Sequence, residues 1–116
     1  MADLASKHCV GCKGGTLPLK GDQLIGLLKQ LGEGWFIEEE QRLEKGFKFK
    51  DLKEALDFTN QIGKIAEQEG HHPDIYLSWG KVKVTLYTHK IEGLSESDFI
   101  MAAKCDDAFV TKYSKQ

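Results

Sequence analysis

Apolar residues recur at the spacing of an α-helix in three segments of the chain, which predicts helices over about 22–31, 51–69 and 96–113. The second segment has the clearest ends. Asp51 and Glu54 match a capping box at its start, and a glycine followed three residues later by a proline stops it. Its predicted buried face consists of Leu52, Ala55, Leu56, Thr59, Ile62 and Ala66.

Alternation of apolar and polar residues predicts four β-strands, in two pairs between these helices. The first pair begins at Trp35 and near Leu43, and the second covers 75–79 and 81–89. Only a tight turn at Gly80 separates the second pair, which indicates an antiparallel hairpin. The order of elements predicts an α+β domain with a two-layer α-β-β-α-β-β-α fold, a four-stranded antiparallel sheet and helices packed on one face.

The last strand predicts which face of the sheet the helices cover. Val82, Val84 and Leu86 alternate with polar residues, so they point toward the helices. Tyr87 and His89 lie on the opposite face, which is then free to hold a ligand or a second subunit.

The first 20 residues follow neither pattern. They are rich in glycine, lysine and cysteine, which predicts an irregular arm over 1–20 ahead of a single domain over 21–116. A chain of 116 residues with 41% hydrophobic content can bury a core without disulfides or a metal.

Charge and the sequence of the N-terminus restrict the partners. A net charge of -2 argues against general binding to nucleic acid or to an anionic membrane. No apolar run approaches the ~18 residues that a membrane span needs, and residues 1–9 lack the apolar core of a signal peptide. Because three cysteines are also a poor disulfide framework, we expect a reducing, cytoplasmic setting and no membrane partner.

Three histidines could carry acid–base chemistry. His71 and His72 leave the second helix between Gly70 and Pro73, and His89 ends the fourth predicted strand. A histidine in such a place can simply complement the negative end of the helix dipole or remain solvated. A pair held between a glycine and a proline favours a functional role, because imidazole can donate and accept protons near neutral pH.

Two carboxylates and a tryptophan could support these histidines. Glu67 lies one turn before His71 and is either a solvated residue or a group that orients a neighbouring imidazole. Asp98 forms a capping box with Ser95, and the cap alone explains it. Trp79 suits either a flat heterocyclic ligand or a core or interface position.

A metal site has weaker support than acid–base chemistry. Adjacent histidines rarely place both rings on one ion, and the chain has no HExxH spacing. Cys9 and Cys12 form half of a zinc or redox motif without a second pair. We interpret them as incidental thiols on a mobile arm, with a partial or intersubunit zinc site as the alternative.

The candidate residues occur in one order: Glu67, His71-His72-Pro73, Trp79, His89 and Asp98. This order and its spacing resemble the signature of the pterin-4a-carbinolamine dehydratases. The resemblance extends over about 22–108, including the segments Trp-Gly-Lys-Val, Leu-Tyr-Thr-His and Gly-Leu-Ser-Glu-Ser-Asp. The arm lies outside it, so we expect catalysis not to need the arm.

The resemblance implies the dehydration of 4a-hydroxytetrahydropterin to quinonoid dihydropterin, which recycles the pterin used by aromatic amino acid hydroxylases. It implies a similar fold assembled as a homodimer or homotetramer, and no cofactor or metal. His72 and His89 are the expected acid–base pair, His71 positions the hydroxyl or shares the role, and Glu67 and Asp98 support them. The implied pterin contacts are His71, His72, Pro73, Trp79, Thr88, His89, Lys90 and Ile91.

Three alternatives remain open at the level of sequence. Some animal relatives act as dimerisation cofactors of a homeodomain transcription factor, which would make this chain a binding module. A second alternative is a pterin-binding enzyme of another pathway, such as molybdopterin metabolism. The third is a zinc protein that uses Cys9 and Cys12.

Overall fold

The computed structural model describes residues 4–9 and 17–112, and within them the chain forms three α-helices and four β-strands. The helices are α1 (Asp22–Leu28), α2 (Leu52–Glu69) and α3 (Glu96–Lys112). The strands are β1 (Phe36–Glu38), β2 (Arg42–Lys48), β3 (Asp74–Ser78) and β4 (Lys81–Leu86). Single turns of 3-10 helix occur at Leu4–Ser6 and His89–Ile91. None of the described helices has the length and apolar content that crossing a bilayer requires.

The four strands form one antiparallel sheet in the order β1-β2-β4-β3. Leu43 and Phe47 of β2 pair with Leu86 and Val82 of β4, so the apolar residues of the two central strands share one face. All four side chains are buried in the hydrophobic core. The predicted α+β fold, with its order of elements, its four-stranded antiparallel sheet and its helices packed against that sheet, is confirmed.

Both predicted ends of α2 are confirmed. The carboxylate of Asp51 accepts a hydrogen bond from the backbone N–H of Glu54 at 2.9 Å, which satisfies one of the free donors of the first turn. Gly70 ends the helix at φ = 65°, a left-handed conformation that suits glycine because it has no Cβ. The chain therefore leaves α2 abruptly and turns toward β3.

The buried face of α2 differs from the prediction. Leu52 and Leu56 are 42% and 43% exposed, whereas Phe58 is completely buried. The buried residues of the helix are Ala55, Phe58, Ile62 and Ala66. The reason is tertiary, because the ring of Phe58 joins a cluster of aromatic rings from β2, its following loop and α3: Phe47, Phe49 and Phe109.

Three element ends differ from the prediction by more than one residue or lie outside the described residues. α1 ends at Leu28, earlier than predicted, and the predicted end of α3 at Tyr113 lies outside the described residues. β4 ends at Leu86, so the prediction that the strand continues to His89 is wrong. Thr88 instead pairs with Gly93 in an isolated bridge, which closes the 3-10 turn that begins at His89.

Residues 4–9 of the N-terminal arm are packed against the domain. Leu4 is 3% exposed and belongs to the core, and the ammonium of Lys104 on α3 donates to the carbonyl of Ala5 at 2.8 Å. This part of the predicted arm is therefore in contact with the core and with α3. The remainder of the predicted arm up to residue 16, including Cys12, lies outside the described residues.

Cys9 is not an incidental surface thiol. It is partly buried, and its Sγ donates to the backbone carbonyl of Ser97 at 3.5 Å. Burial, reinforced by the negative charge of Glu69, raises the pKa of the Cys9 thiol from 9.0 to about 11. The thiol is therefore neutral, and a poor nucleophile, at physiological pH.

The packing of α2 predicts a contrast between two of its apolar residues. Phe58→Ala removes a fully buried ring and should lower the free energy of unfolding by about 3–5 kcal/mol. Leu56→Ala removes a side chain that is 43% exposed and should cost less than about 1 kcal/mol. Urea unfolding of both variants measures the difference, and equal losses would contradict the observed orientation of the helix.

The raised pKa of Cys9 predicts slow alkylation. In a Cys12→Ser background, Cys9 of the folded protein should react with iodoacetamide at pH 8 roughly 100-fold more slowly than after unfolding in urea, because a pKa two units higher leaves about 100-fold less thiolate. The stability that the neutral thiol contributes is present below pH 9 and is lost as the pH rises toward about 11. Equal rates in the folded and unfolded protein would show that Cys9 is exposed.

Candidate active site

The three candidate histidines lie where α2 ends, β4 ends and α3 begins. His71 and His72 directly follow the left-handed Gly70 that ends α2. β3 starts at Asp74, which pairs with Thr85 near the end of β4, so the exit of α2 lies beside the segment that carries His89. A helix end and the end of a strand thus bring together residues that are far apart in sequence.

His71 makes the most enclosed contact of the group. Its Nε2 lies 2.6 Å from Oδ1 of Asp98, and the side chain of Asp98 has no exposed surface while that of His71 is 16% exposed. A carboxylate only accepts hydrogen bonds, so Nε2 of His71 is the donor and Nδ1 is left for other partners. The contact joins the exit of α2 to the first turn of α3.

Asp98 serves the helix cap and the histidine at the same time. Its Oδ2 accepts from the backbone N–H of Ser95 at 2.9 Å and from the hydroxyl of Thr88 at 2.6 Å. The hydroxyls of Thr88 and Ser95 are themselves 3.0 Å apart. The carboxylate half of the predicted capping box is present, and the same carboxylate has its other oxygen on His71. The two interpretations of Asp98 therefore do not exclude each other.

Glu67 pairs with His72 rather than with His71. The distance from Oε2 of Glu67 to Nε2 of His72 is 2.6 Å, and the two side chains are 79% and 60% exposed. An ion pair this exposed contributes only about 0–1 kcal/mol to stability. Its effect is to orient the His72 ring, with a carboxylate on one ring nitrogen.

His89 is oriented by an aromatic contact. Its ring lies 4.5 Å from that of Tyr87, with the two planes at 82°, and the guanidinium of Arg42 lies 5.8 Å from the centre of the Tyr87 ring. Edge-to-face packing of this kind restricts the orientation of the imidazole. Within residues 4–9 and 17–112, neither ring nitrogen of His89 has a hydrogen-bond partner, so both can take part in proton transfer.

The three imidazoles line one cavity of about 260 Å³. Its lining residues are Gly70, His71, His72, Tyr87, Thr88, His89 and Lys90. Tyr87 and Gly70 were not among the predicted site residues. The signal for Tyr87 was its position two residues before His89, and the signal for Gly70 was its position next to the histidine pair.

Several predicted contact residues do not line this cavity. Trp79 is 72% exposed in the turn between β3 and β4. It follows one end of β3, whereas the histidine pair precedes the other end. The five residues of β3, at ~3.3 Å each, separate these two ends by about 17 Å. Ile91 is 8% exposed and belongs to the core, and Pro73 is half-buried beside the cavity without lining it. Thr88 lines the cavity, but its hydroxyl is directed to Asp98.

A larger groove of about 650 Å³ lies at the start of α2. It is lined mostly by charged side chains of both signs and contains no histidine: Lys50, Asp51, Lys53, Glu54, Leu56, Asp57, Asn60 and Lys112. Several of its charged side chains already have partners within the groove. Asp51 accepts from the backbone N–H of Glu54 as a helix cap, and Lys112 donates to the carboxylate of Asp57. Of these two sites, the histidine cavity is lined by imidazoles, which suit proton transfer near neutral pH.

Metal-binding side chains do not cluster in the part of the chain that is described. No three histidine, cysteine, aspartate or glutamate residues within 4–9 and 17–112 come together in a way that could hold an ion. The pairing of Cys9 with Cys12 involves a residue outside these ranges, so a zinc site there stays a hypothesis.

The sequence of the chain matches that of a known protein family and its members. The model of the family described as "Pterin 4 alpha carbinolamine dehydratase" matches residues 17–108. A protein of Alkaliphilus metalliredigens is 58% identical over 91% of this chain and 96% of its own length. One of Rubrobacter xylanophilus is 52% identical over 91% of this chain and 98% of its own length. Both are named "Putative pterin-4-alpha-carbinolamine dehydratase".

Solved structures show the same fold. The "transcriptional coactivator/pterin dehydratase" of Brucella melitensis superposes with a TM-score of 0.73 at 33% identity, covering 78% of this chain and 96% of that one. A pterin dehydratase-like protein identified as a RuBisCO assembly factor in the alpha-carboxysome superposes with a TM-score of 0.57 at 23% identity, covering 65% of this chain and 88% of that one. The second likeness concerns the fold alone.

The family match includes every residue of the histidine cavity and both carboxylates that pair with its imidazoles. It also covers most of the chain, and the two relatives are matched over nearly their whole length. The chain therefore belongs to the pterin 4 alpha carbinolamine dehydratase family.

Proposed function

We propose that the protein removes water from a 4a-hydroxytetrahydropterin to give quinonoid dihydropterin, with histidines as acid and base. The observation that carries this proposal is the cavity that the imidazoles of His71, His72 and His89 line together. The reaction breaks one carbon–oxygen bond, and the departing hydroxyl takes up a proton to leave as water. The adjacent ring nitrogen gives up its proton as the carbon–nitrogen double bond forms, so no electrons leave the substrate.

The environments of the imidazoles suggest a division of roles. His71 is held by the fully buried carboxylate of Asp98, which suits a group that positions the departing hydroxyl. His72 and His89 are exposed at the cavity and can exchange protons with substrate and solvent. We propose these two as the acid–base pair, since imidazole can take either role near neutral pH.

The two carboxylates support this chemistry in different ways. Glu67 lies against His72 in solvent and orients an imidazole that must gain and lose a proton. Asp98 cannot rotate freely, because Thr88 and Ser95 hold one of its oxygens while His71 is bonded to the other. A fixed partner of this kind sets both the ring orientation and the nitrogen that carries the proton.

We also propose the wider setting that the family suggests: recycling of the pterin of an aromatic amino acid hydroxylase, in the cytoplasm, by a homodimer or homotetramer. Exposed apolar side chains give such an assembly candidate contact surfaces. Leu52 and Leu56 lie on the outer side of α2, and Tyr76 lies on the sheet. Trp79 fits a subunit contact, and it contacts pterin only where a second copy brings it to a neighbouring cavity.

The histidine roles predict a loss of turnover without a loss of stability. His72→Ala and His89→Ala should each lower the rate of dehydration of a synthetic 4a-hydroxytetrahydropterin by about 100-fold or more. Their melting temperatures should stay close to that of the wild type, because both side chains are exposed. Glu33→Ala is the control, since its side chain is exposed and lies outside the cavity.

The outcome also separates a dehydratase from a binding module. Near-normal turnover by both cavity variants would contradict the acid–base roles. Absence of turnover in the wild-type protein, assayed free of metal, would contradict the dehydratase proposal and favour a protein that binds pterin or another protein without this chemistry.

The two contacts of Asp98, with the helix cap and with His71, predict effects on stability and on turnover that can be measured separately. Asp98→Asn retains an acceptor for Ser95 and Thr88 but removes the charge beside His71. It should therefore fold nearly normally and lower turnover by about 10- to 100-fold, with an altered dependence of kcat on pH. Asp98→Ala leaves buried donors without a partner and should cost a further 1–3 kcal/mol or so of stability. An unchanged pH profile in Asp98→Asn would mean that Asp98 only caps the helix and has no role in turnover.

A further inference from the structure

Glu69 is a carboxylate whose side chain is largely covered, in an unfavourable place. It occupies the last turn of α2, where a negative charge faces the negative end of the helix dipole. Its side chain is only 8% exposed. A buried charge is costly unless hydrogen bonds and opposite charges compensate it. The groups that compensate the charge of Glu69 therefore indicate its structural role.

The compensation comes from the N-terminal arm and from α3. The backbone N–H of Cys9 donates to Oε1 at 2.8 Å, and Nδ1 of His8 lies 3.1 Å from Oε2. The ammonium of Lys104 on α3 lies 3.7 Å from Oε2. These contacts hold the pKa of the Glu69 carboxyl below its usual value. The hydrogen bond from Cys9 contributes most, and His8 and Lys104 contribute less. Glu69 is thus ionised and tied to two other segments.

The arm in turn is fastened to α3. The side chain of Lys104 reaches the carbonyl of Ala5 as well as Glu69, and its own side chain is only 15% exposed. The thiol of Cys9 donates to the carbonyl of Ser97 in the first turn of α3. The arm therefore spans the gap between the last turn of α2 and the first turn of α3.

The same gap is crossed by the contact that orients the candidate site. His71 follows Glu69 by two residues, and Asp98 follows Ser97 by one. The bond between Nε2 of His71 and Oδ1 of Asp98 at 2.6 Å joins these two helix ends a few residues away from the arm. A shift that moves the two helix ends apart would lengthen both connections.

We propose that Glu69 is a positioning residue, whose largely covered carboxylate ties the arm across the ends of α2 and α3 and thereby holds His71 and Asp98 at hydrogen-bonding distance. The effect on turnover rests on the proposed dehydratase function, but the effect on geometry does not. The proposal also reverses the sequence-based expectation that the arm is dispensable. Misplacement of a catalytic group by about 1 Å can cost up to 100-fold in rate, so even a small shift is measurable.

Three variants test the role of the carboxylate. Glu69→Ala should lower kcat about tenfold while KM stays within about twofold, because the substrate-binding groups remain in place. Glu69→Gln keeps an acceptor for the Cys9 N–H and should recover most of the loss. Glu96→Gln is the matched control, because Glu96 also binds the arm, through Lys7 at 3.1 Å, but on the exposed surface. It should behave as the wild type.

A spectroscopic measurement reports on the geometry without any turnover. The N–H proton of His71 that bonds to Asp98 should give a downfield proton NMR signal, assigned by its loss in His71→Ala. The signal should shift or broaden in Glu69→Ala and persist in Glu96→Gln. An unchanged signal in Glu69→Ala overturns the proposal. Absence of turnover in the wild type would contradict only the dehydratase function, since the signal is still measurable.

A double-variant cycle tests whether Glu69 acts through the arm. Cys9→Pro removes the backbone donor to Glu69, and Cys9→Ser keeps that donor while replacing the thiol. Cys9→Pro should reproduce the NMR change of Glu69→Ala, and combining the two should add little. Cys9→Ser should keep the signal close to that of the wild type. Fully additive changes would mean that the two residues act independently, which contradicts the proposal.

Discussion

The carboxylate of Asp98 is completely buried, and each of its hydrogen bonds reaches a different part of the fold. Oδ2 accepts from Ser95 at the start of α3 and from Thr88 in the segment after β4. Oδ1 contacts His71, which follows α2. A buried charge is tolerated only when its oxygens are satisfied. The end of the helix, the end of the strand and the start of the last helix must therefore meet at this point, and the histidine cavity forms there.

This constraint explains why the cavity has both an enclosed imidazole and exposed ones. His71 is fixed by the carboxylate of Asp98, which has no access to solvent. The hydroxyl of Thr88 donates to the same carboxylate. His72 and His89 are oriented by an exposed carboxylate and by an aromatic edge, so they stay in contact with water. The proposed proton transfer needs imidazoles that exchange with solvent, and the proposed positioning needs one that does not. A small domain provides both by burying only one of the two carboxylates.

The sequence predicted the features that depend on local signals. The capping residue Asp51, the left-handed Gly70 and the alternation along β4 all act over a few residues, and each was found as expected. The order of the elements followed from them. The position of His71 and His72 was predictable for the same reason, because a glycine cap and a proline determine where the helix must end.

The features that the sequence did not predict depend on contacts between distant residues. Helical spacing allows both Leu56 and Phe58 to lie near a buried face, and only the aromatic cluster selects Phe58. Trp79 was expected beside the imidazoles, but the length of β3 separates them. The contact of Cys9 with Glu69 joins residues 60 positions apart, and no local pattern marks it.

His71, His72 and His89 are proposed to form one pterin site. The most direct measurement is a titration of the protein with a stable dihydropterin, followed through the imidazole NMR signals. The three cavity histidines should shift together with one dissociation constant, and His8 should not move. Shifts confined to residues of the charged groove at the start of α2, with the cavity histidines unchanged, would place the pterin elsewhere and contradict the claim.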